Sequence, residues 1–190
     1  MTGPAVGVLA VQGDFEKHIH AVRNADPSAQ VVEVRTPEDL EGVERCIIPG
    51  GESTTVGLLL QRFGLAEALR RRVDGGMPLW GTCMGMILMA REVEGRDQFT
   101  LGVLDVAVQR NAFGAQVHSF EAPIPMCGLD EPVTGVFIRA PVVTCVGPNV
   151  EVLAEYEGRI VAVRQGRLLG TSFHPELTGD DRVHRLFLEM

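Results

Sequence analysis

The sequence predicts a single α/β domain over residues 1–190, built in three layers around a central, largely parallel mixed sheet. Two observations carry that expectation. Up to about residue 100, apolar runs of strand length alternate strictly with segments of helical spacing, an order that gives parallel strands covered on both faces. Beyond that point the texture turns β-rich, which adds an antiparallel extension. No repeat, linker or break in composition divides the chain. Its 190 residues, 45% hydrophobic and 22% charged, suffice to bury a core without disulfides or a structural metal.

The first apolar run, residues 5–11, reads as a strand and is followed by Gln12-Gly13-Asp14 and then Phe15, Ile19 and Val22 at helical intervals. Residues 31–34 form a second strand. Thr36-Pro37-Glu38-Asp39 carries a helix start: a cap, a proline and an acidic first turn. Residues 45–49 are a third strand ending at Gly50-Gly51. After Ser53 the spacing of Val56, Leu59, Leu60, Phe63, Leu65 and Leu69 predicts a helix interrupted at Gly64. Residues 78–80 make a fourth strand that runs through Gly81-Thr82-Cys83-Met84-Gly85 into a helix over 86–92. The β-rich half places strands at 103–109, 116–122, 135–139, 150–156, 159–163 and 168–173, with Glu157-Gly158 as a hairpin turn, and a helix over 180–190 closes the chain.

Composition excludes several classes of function. A formal charge of −8 opposes binding driven by nucleic-acid phosphates, and Arg70-Arg71-Arg72 reads as a basic helix end. The longest uncharged run, residues 77–90, is too short to span a bilayer and contains Pro78, Gly81 and Gly85. Four scattered cysteines and no secretory leader predict a reducing cytoplasm. His18 and His20 are two apart on a helix and share no face, so no metal site is expected, nor any cofactor. His118 and His184 read as surface or packing residues, and Cys46, Cys127 and Cys145 as buried thiols.

The strongest chemical signal is Gly81-Thr82-Cys83-Met84-Gly85 between a strand and a helix, a nucleophile elbow with cysteine in place of serine. The glycines permit the sharp turn, the helix start favours an anion, and the Met84 N–H faces a developing oxyanion. Taken alone, the pentapeptide suits a buried structural thiol equally well. A thiol nucleophile needs a base, and His174 in Ser172-Phe173-His174-Pro175-Glu176 is the best candidate, with Glu176 two residues on and on the same side of an extended segment. Pro49-Gly50-Gly51-Glu52-Ser53-Thr54-Thr55 either converges backbone N–H groups on an anion or is a plain turn; it lacks the ending of a Walker loop. Arg110 and Arg139 each follow a β run, where a guanidinium either grips a substrate carboxylate or faces solvent.

Together these segments resemble the class I, or triad, glutamine amidotransferases, and among them the glutaminase subunits of pyridoxal 5′-phosphate synthase. The likeness runs in order through Gly7 to Gly13, Pro49 to Thr55, Gly81 to Gly85, Arg110 to Gly114, Gly135 to Pro141 and Ser172 to Thr178. It implies a flavodoxin-like, class I amidotransferase-like fold and a triad of Cys83, His174 and Glu176. It further implies L-glutamine held by Gly51, Glu52, Ser53, Arg110, Ile138 and Arg139, with an oxyanion met at Gly51 and Met84. The implied partner is the synthase subunit, bordered by the loop around Gln12, in a hetero-oligomer that receives the ammonia. Met84 departs from the small residue expected after the nucleophile. Two readings compete: a binding module without catalysis, and a thiol hydrolase or peptidase on a similar fold.

Overall fold

The computed structural model describes residues 3–114 and 119–190. Its first half alternates as expected: β1 (Ala5–Leu9), α1 (Phe15–Ala25), β2 (Gln30–Val34), β3 (Arg45–Ile48), α2 (Ser53–Arg62), α3 (Leu65–Asp74), β4 (Leu79–Thr82) and α4 (Met84–Met89). Then follow β5 (Ala90–Val93), β6 (Leu104–Gln109), β7 (Ser119–Ile124), β8 (Val133–Ile138), β9 (Val142–Val146), β10 (Glu151–Tyr156), β11 (Arg159–Gln165), β12 (Leu168–Thr171) and α5 (Arg182–Leu188).

The main sheet runs β2-β1-β3-β4-β12-β11-β9-β6-β5, with β10 paired to β11. From β2 to β12 every pairing is parallel, so the carboxyl ends of β1, β3, β4 and β12 open onto one edge. That edge is where open α/β sheets bind ligands. The β12–β11, β11–β9 and β9–β6 pairings are antiparallel and make the sheet mixed. Strand alternation sends Cys46 and Ile48 to one face, against α2, α3 and α4, and Ile47 to the other, against α1 and α5. The two resulting cores give the three-layer α/β architecture expected from the sequence.

Several elements depart from expectation. The helix expected over 86–92 stops at Met89, and Ala90–Val93 instead pairs with β6. Methionines 84, 86 and 89 with Ile87 and Leu88 are buried all round, so no polar stripe marks where the helix ends. The helix start at Thr36 yields only one 3-10 turn, Glu38–Leu40, while Asp39 accepts from the Arg35 and Thr36 N–H groups. The strand expected over 116–122 begins in part outside the described residues, and β9 was not foreseen. The break at Gly64 (φ 74°) and the two-residue turn at Glu157-Gly158, both at positive φ, are as expected. No helix among the described residues is long and apolar enough to cross a membrane.

Candidate active site

The elbow after β4 is held by close packing. Cys83 sits at φ 51° and ψ −108°, a strained conformation for a residue with a side chain, and its N–H donates to Thr171 O on β12 at 2.7 Å. The chain turns so tightly that a Cβ at Gly81 would lie 2.3 Å from Gly85 C, and one at Gly85 would lie 2.1 Å from Ile48 O. Strain of this kind survives only where the surroundings over-determine it, and here it lifts the Cys83 side chain to the strand edge. The Cys83 sulfur faces Ile138 O at 3.8 Å.

His174 follows β12 and Glu176 lies in a 3-10 turn, Pro175–Leu177, rather than in the extended segment expected. His174 Nδ1 donates to Glu176 Oε1 at 2.6 Å, and both side chains are buried. Burial alone would lower the His174 pKa, but the Cys83 sulfur and the Glu176 carboxylate both favour its cation and together raise it to about 10. Burial would likewise raise Glu176, yet neighbouring imidazoles and the His174 hydrogen bond leave it lowered. An ionised carboxylate holding a protonatable imidazole beside a thiol is an arrangement suited to acyl transfer.

A cavity of about 380 Å³ brings together Cys83 and His174 with Gly51, Glu52, Ser53, Met84, Arg110, Ile138 and Arg139. Glu176 stands behind His174, out of the cavity lining. Glu52 caps α2, accepting from the Thr54 and Thr55 N–H groups at 3.0 and 2.7 Å, and lies 3.6 Å from Arg110. Arg110 Nη1 also donates to Gln98 Oε1 at 3.1 Å, and Gln98 Nε2 donates to Ser53 Oγ at 3.2 Å. Gln98 thus organises this end of the cavity, although nothing in its sequence context singles it out. Ile138 is exposed, and Arg139 is exposed at φ 46°.

The glycine turn after β3 packs directly on the imidazole: a Cβ at Gly50 would fall 2.5 Å from His174 Cε1. The Gly51 and Met84 N–H groups donate to no backbone carbonyl among the described residues. The Met84 side chain is buried, its Cε 3.2 Å from where a Gly51 Cβ would lie, so the large residue after Cys83 packs beneath the turn. Gln12 Oε1 accepts from the Glu52 N–H at 3.2 Å.

Expectations for the remaining residues divide. Cys46 is buried, with its thiol pushed up to about 12 by desolvation, whereas Cys127 and Cys145 are exposed, contrary to the burial expected of them. His184, expected at the surface or in packing, is wholly buried and packed, and its Nε2 lies 3.0 Å from His18 Nδ1. His118 lies outside the described residues. His18, whose spacing from His20 on a helix argues only against a metal site, packs with Nε2 3.4 Å from Glu176 Oε2.

Glu52 gives this site a measurable acid sensitivity. Desolvation acts to raise its pKa, but the N–H and hydroxyl donors of Thr54 and Thr55 outweigh it and lower the value from 4.5 to about 2. A depressed carboxylate stabilises the fold above its unfolded pKa and loses that contribution as pH falls through the folded one. Glu52→Gln is therefore expected to lose less unfolding stability than the parent between about pH 4.5 and 2, measured by denaturant titration.

The class that fold and site define is that of the class I glutamine amidotransferases. The profile of the SNO glutamine amidotransferase family matches residues 8–190, and the chain belongs to that family. It is 55% identical over 193 residues to the pyridoxal 5′-phosphate synthase subunit PdxT of Streptomyces avermitilis, covering 100% of this chain and 95% of the relative. Identity to the PdxT subunit of Mycolicibacterium vanbaalenii is 54%, covering 99% and 98%. Among solved structures, one described as a glutamine amidotransferase superposes with a TM-score of 0.91 at 50% identity over 97% of both chains. A PurLQS structure from Thermotoga maritima, at 18% identity and a TM-score of 0.72 over 100% and 99%, shares the fold.

Proposed function

We propose that this chain hydrolyses L-glutamine to L-glutamate and ammonia with Cys83, His174 and Glu176 as its triad, and delivers the ammonia to the synthase subunit of a pyridoxal 5′-phosphate synthase. The observation that carries the reading is the 2.6 Å His174–Glu176 pair set behind a cavity whose floor is the strained Cys83 elbow. Its high identity to PdxT subunits over nearly the whole chain supports the partner and the product's destination.

In this mechanism Cys83 attacks the side-chain amide, and His174 passes its proton to the departing ammonia. Water then attacks the glutamyl thioester with His174 as base, while Glu176 keeps the imidazole in one tautomer and orientation. The Gly51 and Met84 N–H groups meet the oxyanion. Arg110 receives the α-carboxylate, and Glu52 with the carbonyls at Ile138 and Arg139 receives the ammonium. Four free thiols suit a reducing cytoplasm.

Glutamate release by the chain together with its synthase subunit tests the reading, as does labelling by a glutamine-analogue electrophile at Cys83. Labelling confined to the exposed Cys127 or Cys145 refutes it. Turnover of unrelated amides or peptides by the chain without a partner would favour a general thiol hydrolase instead. Arg110→Ala is expected to raise KM for glutamine about 10- to 100-fold with kcat within a few-fold, because it removes a contact made equally in ground and transition states. Steady-state kinetics of the complex decide; a large kcat loss at unchanged KM contradicts that role.

A further inference from the structure

Behind the triad lies a fully buried pair of histidines contributed by α1 and α5. His18 Nε2 sits 3.4 Å from Glu176 Oε2 and 3.1 Å from Thr82 Oγ1, and His18 Nδ1 sits 3.0 Å from His184 Nε2. Glu176 uses Oε1 on His174, while Oε2 is buried and has no hydrogen-bond partner among the described residues, His18 included. The rings are locked in place, with the His184 centroid 4.8 Å from that of Trp80 and the His18 centroid 5.6 Å from it.

We propose that His18 is a positioning residue for Glu176: its Nε2–H donates to Thr82 Oγ1 and sets its positive end beside Glu176 Oε2, 3.4 Å from Nε2, in the tautomer that His184 imposes by donating to Nδ1. The proposal rests on the triad reading given above. Two arguments fix the direction of the chain of donors. In the reverse tautomer the His18 Nε2 lone pair would face a buried carboxylate. It would also leave His184 Nδ1, which is buried without a partner among the described residues, as an unpaired N–H rather than a bare lone pair. Desolvation lowers both histidines, His184 to about 3, and so keeps them neutral.

The charged and titratable groups facing His18 are Glu176 and His174 beyond β12, His184 on α5 and Asp14 ahead of α1. Of these, Glu176 places Oε2 3.4 Å from Nε2, and its Oε1 couples it to His174. Without the Nε2–H, the Glu176 carboxylate is less stabilised as an anion and less fixed in orientation. Its hold on the His174 cation weakens, and the His174 pKa falls.

The test compares the parent chain with His18→Leu and His18→Gln, the amide N–H of glutamine reaching toward the place of Nε2. Glutamine hydrolysis is measured in the complex with the synthase subunit, and His174 titration is followed by NMR in the chain itself. His18→Leu should lower kcat about tenfold, the equivalent of one pKa unit at His174, with KM changed less than about twofold. Its His174 midpoint should fall, and His18→Gln should restore most of both. Unchanged kcat and titration in His18→Leu, or equal impairment in the two variants, would overturn the proposal. Should His18→Leu not fold, His184→Phe keeps the ring against Trp80 while deleting the donor, and an unshifted His174 titration there overturns it equally. A parent complex that releases no glutamate refutes the glutaminase reading, and the titration still decides what His18 does.

Discussion

Cys83→Ala is expected to reduce glutamate release by the complex at least about 10⁴-fold, because the covalent route disappears and no second thiol can replace it. Cys46 is buried, with a pKa pushed up to about 12, and neither Cys127 nor Cys145 lines the cavity. The fold should persist, since alanine keeps the Cβ and the same turn. It also keeps the strain at φ 51°, which costs on the order of 1 kcal/mol or more for a residue with a Cβ. Cys83→Gly should therefore be as inactive as Cys83→Ala yet unfold at a higher midpoint, a separation of chemistry from stability visible in one pair of variants. Turnover above about 1% of the parent in Cys83→Ala would place the nucleophile elsewhere.

Gly85→Ala is expected to destabilise the chain by about 3 kcal/mol or more, in the range reserved for overpacked cores and broken backbone contacts. The added methyl would lie 2.1 Å from the Ile48 carbonyl, at the carboxyl end of the parallel pairing of β3 with β4. No rotamer relieves a clash between a Cβ and a backbone oxygen, so α4 would have to move away from β3. Moving α4 also carries Cys83 away from His174. Loss of glutamine turnover should accompany the loss of stability, and equilibrium unfolding in denaturant measures the latter. A variant within about 1 kcal/mol of the parent would show that the elbow tolerates looser packing than its geometry implies.

The parts of this molecule legible in its sequence are those whose signals are local. The β1-to-α4 alternation, the elbow glycines, the Gly64 break and the two-residue turn at Glu157-Gly158 each depend on a few neighbouring residues. The extent of α4 was not legible, because a segment buried on all sides has no polar face to mark its end. His174 and Glu176 meet as expected, but for another reason: a 3-10 turn, not strand alternation, brings the carboxylate to Nδ1. His18, Gln98 and His184 escaped because their partners lie 166 and 45 positions away along the chain for the His18–His184 and Ser53–Gln98 pairs. Spacing rules say nothing about such pairings. The exposure of Cys127 and Cys145 was missed for a related reason: burial preference is a statistical tendency, whereas their accessibility follows from where particular strands meet solvent.

The two-stranded β7–β8 sheet stands apart from the main sheet, yet it supplies Ile138, and Arg139 follows directly after it. It meets the triad where the His174 N–H donates to Val136 O on β8 at 2.8 Å, where Phe137 packs 5.7 Å from Phe173 between centroids, and where the Cys83 sulfur faces Ile138 O at 3.8 Å. Hairpin and imidazole are thereby joined as two arms of one lever. Any displacement of β8 would move the carbonyl that holds the His174 N–H together with the ring that packs on Phe173.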